Sequence, residues 1–196
     1  MHFQVVHCHP LGDSYNRALF ETIVAALEAR GHKVTAIDLY RERFDPALSE
    51  AERAGYFDRP YDDAAVARYT ALLRRVDGII LCFPQWWFGM PALLKGYFDR
   101  VWAPGTAFAH DPAGGRIKPL LTNVRVFGVV TSYGSPWRVV RFVAGDPGRK
   151  MVMRALKPMC GRGVRSFYLA HYDMDRSTEG SRSAFLEKVR SVIAKL

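Results

Sequence analysis

The sequence is poor in cysteine and has no long hydrophobic run. Its three cysteines, Cys8, Cys82 and Cys160, match no metal-binding spacing, and two of them end apolar strand patterns. We therefore expect buried, reduced thiols and no metal site. No basic leader precedes the strand pattern at residues 2–7, and no apolar run approaches the ~20 residues that a membrane-spanning helix needs. These absences predict a cytoplasmic protein without a membrane span.

Two glycine motifs of nucleotide-binding proteins are also missing. Neither G-x-G-x-x-G nor G-x-x-x-x-G-K-[ST] occurs, so the sequence gives no support to a dinucleotide-binding fold or an NTPase. There is no internal repeat or low-complexity tract, and 49% hydrophobic with 24% charged residues is typical of a globular protein. We expect residues 1–196 to form a single domain with one sizeable core.

Acidic residues are scarce in one part of the chain. Residues 116–165 contain eleven Lys or Arg and a single acid, Asp146, a local charge of +10, whereas the rest of the chain sums to −1. Such a basic zone suits phosphate-bearing small molecules, an acidic partner or nucleic acid, and a merely solvated basic face is an equal alternative. Its arginines are not interleaved with the exposed aromatic residues that proteins use to bind single-stranded nucleic acids, so nucleic-acid binding is the weaker hypothesis.

Strand and helix patterns alternate along the whole chain. Short apolar strand patterns lie at 3–8, 33–39, 78–83, 124–131 and 164–170, and helical patterns lie at 16–30, 63–76, 91–101, 146–159 and 178–196. Strands of this kind, buried on both faces, indicate a parallel sheet with right-handed crossovers. The predicted fold class is α/β, a flavodoxin-like three-layer sandwich whose five-stranded parallel sheet has the order 2-1-3-4-5.

Three unusual stretches follow strands 1, 3 and 4. They are HPLGDSYN (9–16), PQWWFGMP (84–91) and TSYG (131–134). In this topology ligands bind beyond the carboxyl ends of the strands, near the switch point, so the three stretches should lie side by side. Ser14 and Asn16 begin a helix whose free N–H groups can bind an anion, although a plain N-cap explains them equally well.

The second stretch places an unusual amount of aromatic surface in a loop. Trp86, Trp87 and Phe88 could be core residues, a dimer interface or the wall of a pocket for a flat conjugated ligand. We expect Pro84 and Gly89 to shape the turn so that backbone N–H groups face the ligand's edge. A helix start that can bind an anion and an aromatic loop that can pack against a flat ring together match the phosphate and the isoalloxazine ring of a flavin.

These stretches resemble the flavodoxin-like NAD(P)H:quinone oxidoreductase family, which includes DT-diaphorase and the bacterial drug-modulator and potassium-efflux ancillary reductases. The most specific match is FPQWWFGMPALLKGYFDRVW, and the order of elements matches from residue 3 to residue 196. The resemblance implies bound FAD or FMN, NAD(P)H as co-substrate, a homodimer, and hydride transfer by a ping-pong mechanism to a quinone or another small planar acceptor.

The resemblance also implies a set of cofactor-binding positions on the three stretches. Near the flavin phosphates and ribityl chain it places His9, Ser14, Tyr15 and Asn16. Around the isoalloxazine ring it places Pro84, Gln85, Trp86, Trp87, Phe88 and Gly89, and at the pyrimidine edge of that ring it places Thr131, Ser132, Tyr133 and Gly134. Asp99 and Arg100 match an acid–base pair of the family. The flavin would perform the hydride chemistry, so few catalytic side chains are expected, and Tyr133 and Arg138 are the candidates. The basic zone suggests that Arg138 or Arg141 stabilises charge on reduced flavin or binds the phosphates of the nicotinamide dinucleotide.

The match has departures that leave alternatives open. The family's fourth-strand turn usually reads T-T-G-G, whereas Tyr133 takes the third position here, and the Tyr and His that follow that turn in DT-diaphorase are missing around Trp137, Arg138 and Ala144. The alternative functions are a flavin-binding regulatory subunit of a membrane transporter and a basic nucleic-acid-binding domain. At least one of the long segments 40–61 and 103–122 is expected to close over the site or to reach a neighbouring subunit.

Overall fold

The structure is a computed structural model that describes residues 1–58, 60–110 and 115–196. Its strands are β1 (His2–His7), β2 (Lys33–Asp38), β3 (Gly78–Gln85), β4 (Phe108–Ala109), β5 (Lys118–Pro119), β6 (Val126–Tyr133) and β7 (Arg165–His171). Its helices are α1 (Tyr15–Ala29), α2 (Glu50–Ala54), α3 (Ala67–Leu73), α4 (Ala92–Val101), α5 (Pro147–Lys150) and α6 (Glu179–Ile193). None of the helices in the described ranges is long and apolar enough to cross a membrane.

Five parallel strands form the central sheet in the order β2-β1-β3-β6-β7. Counted along the chain, this is the predicted order 2-1-3-4-5. Every residue of β3 and β6 is buried because helices cover both faces. The core has two halves: α3 and α4 pack on one face, and α1 and α6 pack on the other. The five-stranded parallel sheet of a flavodoxin-like α/β fold is therefore confirmed.

The segment 40–61 contains a helix that the sequence did not predict. Helix α2 begins at a capping box in which Ser49 and Glu52 bond reciprocally, and none of its own residues is buried. It is held instead by Arg100 on α4, whose Nε donates to Glu52 Oε1 over 2.8 Å. Because a tertiary ion pair and not a buried apolar face holds this helix, its sequence shows no apolar periodicity from which a helix could be predicted. Arg59 of this segment and residues 111–114 of the next lie outside the described residues.

The helix predicted from Asp146 to about Met159 is only partly regular. After α5 the chain continues as a wider π-helical turn, Met151–Leu156, and a 3-10 turn, Lys157–Cys160. Asp146 does not cap α5 with its side chain; its backbone is left-handed, with φ of 54°, and its carboxylate accepts a hydrogen bond from Tyr133. Asp146 therefore occupies the N-cap position directly before Pro147 without a side-chain cap, because a buried tertiary partner takes its carboxylate.

The three cysteines are buried and carry free thiols. Burial raises the pKa of Cys8 and of Cys160 to about 12, so both thiols stay protonated near neutral pH. This agrees with the expectation of inert core thiols.

Candidate cofactor site

A cleft opens at the sheet edge where β1, β3 and β6 end. Its cavity of about 440 Å³ is lined among the described residues by His9, Leu11, Ser14, Tyr15, Asn16, Pro84, Gln85, Trp86, Ser132, Gly134, Met174 and Asp175. A second depression of about 440 Å³ shares three of these residues and adds Trp87, Phe88, Tyr133 and Ser135. Twelve of the fourteen predicted cofactor residues thus line one continuous depression. That they bind a flavin stays a prediction.

Helix α1 supplies one end of the cleft. The Ser14 hydroxyl donates to the Leu11 carbonyl over 2.9 Å and accepts from the Arg17 N–H over 3.2 Å, so the side chain is an N-cap and is fully used. The backbone N–H groups of Tyr15 and Asn16, in the first turn of a fifteen-residue helix, are left without partners in the described chain. They are the groups able to bind an anion there.

Asn16 adds an unsatisfied donor to the same end. The residue is 3% exposed, and its Nδ2 has no hydrogen-bond partner within the part of the chain that the structure describes. A buried amide of this kind costs free energy unless a bound group accepts its hydrogen bond. Its position in the cleft therefore favours a ligand with an oxygen acceptor.

His9 and His7 have different environments, although they are two residues apart. His9 lines the cleft, where its Nδ1 accepts from the Leu11 N–H over 3.1 Å, so the proton of the neutral ring is on Nε2. His7 is buried, with Nδ1 3.3 Å from Asp38 Oδ2. Across residues 1–58, 60–110 and 115–196, no three His, Cys, Asp or Glu side chains come together in a way that could hold a metal ion.

The aromatic stretch forms a tight two-residue turn. The Trp86 N–H donates to the Gly89 carbonyl over 2.9 Å, and the Gly89 N–H donates to the Trp86 carbonyl over 3.0 Å. The central residues Trp87 and Phe88 have φ of 53° and 59°, the arrangement of a type I′ turn, which usually takes Asn or Gly. A left-handed backbone costs roughly 1–2 kcal/mol for each such residue.

The turn presents both rings and amides outward. Trp87 is 98% exposed and Trp86 is 41% exposed, so the interpretation of these two as core residues is wrong. The N–H groups of Trp87 and Phe88 make no hydrogen bond in the described chain. Gly89 closes the turn, as expected, whereas Pro84 lies in β3 opposite Ser132 and precedes it; the two left-handed residues are Trp87 and Phe88.

The third stretch lines the cleft with Ser132, Tyr133 and Gly134 but not with Thr131. Thr131 is fully buried, and its hydroxyl donates to the Phe83 carbonyl over 2.6 Å, so its side chain does not reach the cleft. Past the strand, the N–H groups of Gly134 and Ser135 have no partner within the described residues. A Cβ on Gly134 would lie 2.9 Å from Asp175 Oδ2, so the backbone of Gly134 and the Asp175 side chain lie close together in the cleft.

Some lining residues were missed, and some predicted ones lie elsewhere. Met174 and Asp175 come from a turn after β7, in the segment AHYDMD, whose only sequence signal is its place after the last strand. Arg138 and Arg141 are exposed and do not line either part of the cleft. Arg100 is structural, and Asp99 accepts from Lys95 Nζ over 2.5 Å.

The chain belongs to the flavodoxin-like fold family, whose model matches residues 1–191. Among solved structures, a protein of Streptococcus mutans, Smu.1420, superposes over all of both chains with a TM-score of 0.84 and 25% identity. The NAD(P)H:quinone oxidoreductase of Methanothermobacter marburgensis gives a TM-score of 0.83 at 23% identity, covering 100% of this chain and 96% of that one.

Curated relatives carry reductase names. An uncharacterised NAD(P)H oxidoreductase of Escherichia coli, YcaK, is 35% identical over 53% of this chain and 54% of its own length. NAD(P)H dehydrogenase [quinone] 1 of Cavia porcellus is 32% identical over 54% of this chain and 44% of its own length. The chain thus spans about half the length of these curated relatives. The family resemblance inferred from the sequence is confirmed.

His7 gives this end of the sheet a measurable pH dependence. Burial lowers the pKa of His7, and the nearby Asp38 carboxylate only partly offsets this. Below about pH 6.5 the unfolded His7 binds a proton that the folded His7 resists, so the free energy of unfolding falls as the pH falls. We predict that His7→Gln makes this pH dependence shallower in urea titrations between about pH 5 and 7. An unchanged slope in the variant would contradict the assignment.

Proposed function

We propose that this protein is a flavin-dependent NAD(P)H oxidoreductase that reduces a quinone or another small planar acceptor. In the ping-pong order that the family resemblance implies, NAD(P)H would give up a hydride and leave as NAD(P)+ before the acceptor binds and takes the hydride. FAD and FMN share the phosphate and the isoalloxazine ring on which the proposal depends. Relatives named NAD(P)H oxidoreductase and quinone dehydrogenase support the reaction class. The solved structure of an FMN-dependent NADH-azoreductase of Bacillus anthracis in complex with FMN, which has the same fold with a TM-score of 0.76 at 12% identity, supports the cofactor.

One observation carries the proposal. A helix N-terminus with a buried, unpaired amide shares its cleft with an exposed aromatic turn whose own amides are unpaired. The first feature suits a phosphate and its neighbouring hydroxyls, and the second suits a flat ring with polar edges. A flavin combines both chemistries in one molecule, whereas a simple anion or a simple aromatic compound would leave one end of the cleft without a partner.

The residues present fit such a cofactor. The flavin, when bound, supplies the hydride-accepting and hydride-donating chemistry. The Tyr15 and Asn16 amides and Asn16 Nδ2 would hold its phosphate end, and the Trp86 and Trp87 rings would form a wall beside the isoalloxazine. The free amides of the turns at 87–88 and 134–135 could donate to the polar edges of the ring, and such fixed N–H dipoles would stabilise negative charge there.

We also propose that two copies associate. In the segment that follows the third stretch the chain exposes large apolar side chains: Phe142 is 74% and Val143 81% exposed, and Trp137 packs edge-on against Phe142 with ring centroids 5.5 Å apart. Contiguous apolar surface of this kind usually marks an interface, and a second copy is the partner that the family resemblance implies. A planar acceptor would then bind between the Trp87 wall and the neighbouring subunit.

The oxidoreductase proposal predicts a visible-light signature. Purified protein loaded with FMN or FAD should show a flavin band that bleaches when NADH or NADPH is added anaerobically and returns when a quinone is added. A band that persists after both nucleotides would contradict the reductase and favour a flavin-binding regulatory subunit of a transporter. Protein that takes up neither flavin would contradict the cofactor itself.

A variant at the helix end controls for nonspecific flavin uptake. Asn16→Ala removes the unpaired Nδ2 donor and should weaken flavin binding by about tenfold, the order expected for one buried hydrogen bond. Because no protein group in the described chain bonds that nitrogen, the free energy of unfolding of the flavin-free variant should change little. Equal flavin affinity in both proteins would place the ligand elsewhere.

The association proposal predicts a change of mass. Sedimentation should give about twice the 22.2 kDa chain mass for the unaltered protein, and the double variant Phe142→Ser, Val143→Ser should sediment as a monomer because its apolar surface is lost. A monomeric unaltered protein would contradict the proposal, as would a double variant that still dimerises.

A further inference from the structure

A directed chain of buried hydrogen bonds runs beneath the aromatic turn. Gln85 Nε2 donates to the Tyr168 hydroxyl over 3.2 Å, the hydroxyls of Tyr168 and Tyr133 are 2.7 Å apart, and the Tyr133 hydroxyl donates to Asp146 Oδ1 over 3.0 Å. Because an amide nitrogen only donates and a carboxylate only accepts, Tyr168 must donate to Tyr133. Gln85, Tyr133 and Asp146 are each more than 90% buried.

This chain connects the elements that surround the turn. Gln85 is the last residue of β3, directly before the turn; Tyr133 ends β6, Tyr168 lies on β7, and Asp146 directly precedes α5. Hydrogen bonds between four side chains on four separate segments fix the end of β3 relative to its neighbours. The turn therefore begins from a residue whose side chain cannot move independently of the sheet.

Helix α5 packs against the other side of the same turn. A Cβ added to Gly148 would lie 2.2 Å from Gln85 Oε1 and 2.8 Å from the Phe88 carbonyl oxygen, so the helix backbone and the turn are in close contact. Asp146 holds this helix start through its left-handed backbone and its bond from Tyr133. The two left-handed residues are thus confined between the strand end and the helix start.

The hydroxyls of Tyr133 and Tyr168 form their hydrogen bonds with other protein groups. Burial raises the pKa of both Tyr133 and Tyr168, so both keep their protons, and only Asp146 can carry charge in the chain of bonds. Tyr133 is 2% exposed, and its hydroxyl bonds only to Tyr168 and Asp146 among the described residues. A group so enclosed acts on a ligand through the residues that it positions.

We propose that the hydrogen-bond chain from Gln85 through Tyr168 and Tyr133 to Asp146 holds Trp87 and Phe88 in their left-handed conformation before any ligand binds. The free amides and the Trp87 ring are then preorganised, and binding does not have to order them. Strained backbone of this kind persists only where the surroundings determine it. The identity of the ligand as a flavin rests on the proposed function; the positioning of the turn does not.

Hydrogen exchange of the flavin-free protein tests the positioning directly. The amides of Trp86 and Gly89 close the turn and report whether it is formed, and those of Val5 and Val6 in β1 report the sheet. In Tyr133→Phe, which removes one hydroxyl, exchange at Trp86 and Gly89 should become about tenfold faster, as expected for the loss of one buried hydrogen bond. Exchange at Val5 and Val6 should change much less.

Two further variants sharpen the test. Tyr172→Phe is the matched control, because the Tyr172 ring stacks on Tyr133 at 5.0 Å while its hydroxyl lies outside the hydrogen-bond chain; it should leave turn exchange unchanged. In a Trp87→Gly background, where glycine adopts positive φ freely, the effect of Tyr133→Phe on Gly89 should shrink. Unchanged turn exchange in Tyr133→Phe would overturn the proposal, as would an equal acceleration at the turn and in β1.

Flavin affinity separates this inference from the proposed function. If the unaltered protein binds FMN or FAD, Tyr133→Phe should weaken that binding by about tenfold while Tyr172→Phe does not; equal affinities in all three proteins would overturn the preorganisation claim. If the unaltered protein binds no flavin, the proposed function fails, and the exchange comparison still decides whether the hydrogen-bond chain holds the turn.

Discussion

Parallel pairing of β3 with both β1 and β6 is the constraint on which the site depends. All eight residues of β3 are buried, and its register runs from Gly78 opposite Val126 to Gln85 opposite Tyr133. A slip of one residue would turn buried side chains to the other face, so the pairing is strongly specified. Because the strands are parallel, the segments after β1, β3 and β6 must meet at one edge. The cleft is a consequence of this register.

At that edge the protein leaves backbone donors unpaired instead of assembling charged side chains. In the described chain, the free amides belong to a helix start, a strained turn and a strand end, and one buried side-chain amide joins them. Such donors carry no titratable charge and are fixed by secondary structure. This arrangement suits a cofactor that performs its own chemistry and needs orientation more than acid–base catalysis. None of the Lys and Arg side chains of the basic zone lines the cleft among the described residues.

The sequence predicted much of this arrangement, and the misses have physical causes. Strand order and the meeting of three loops follow from burial periodicity and topology, which are local or general rules. Helix α2, fixed by Arg100, and the bond from Tyr133 to Asp146 depend on contacts between residues far apart in the chain. The left-handed Trp87 and Phe88 could not be foreseen, because neither residue type favours positive φ. Asp175 reaches the cleft only through the path of the turn after β7.

The central claim is that three separate loops form one flavin site, and amide chemical shifts test it most directly. Isotope-labelled protein titrated with FMN, and separately with FAD, would be followed at the amides of Tyr15, Asn16, Trp87, Phe88, Gly134 and Ser135. The account predicts that all six shift together with a single dissociation constant. Shifts confined to one loop, or centred on another surface, would contradict it.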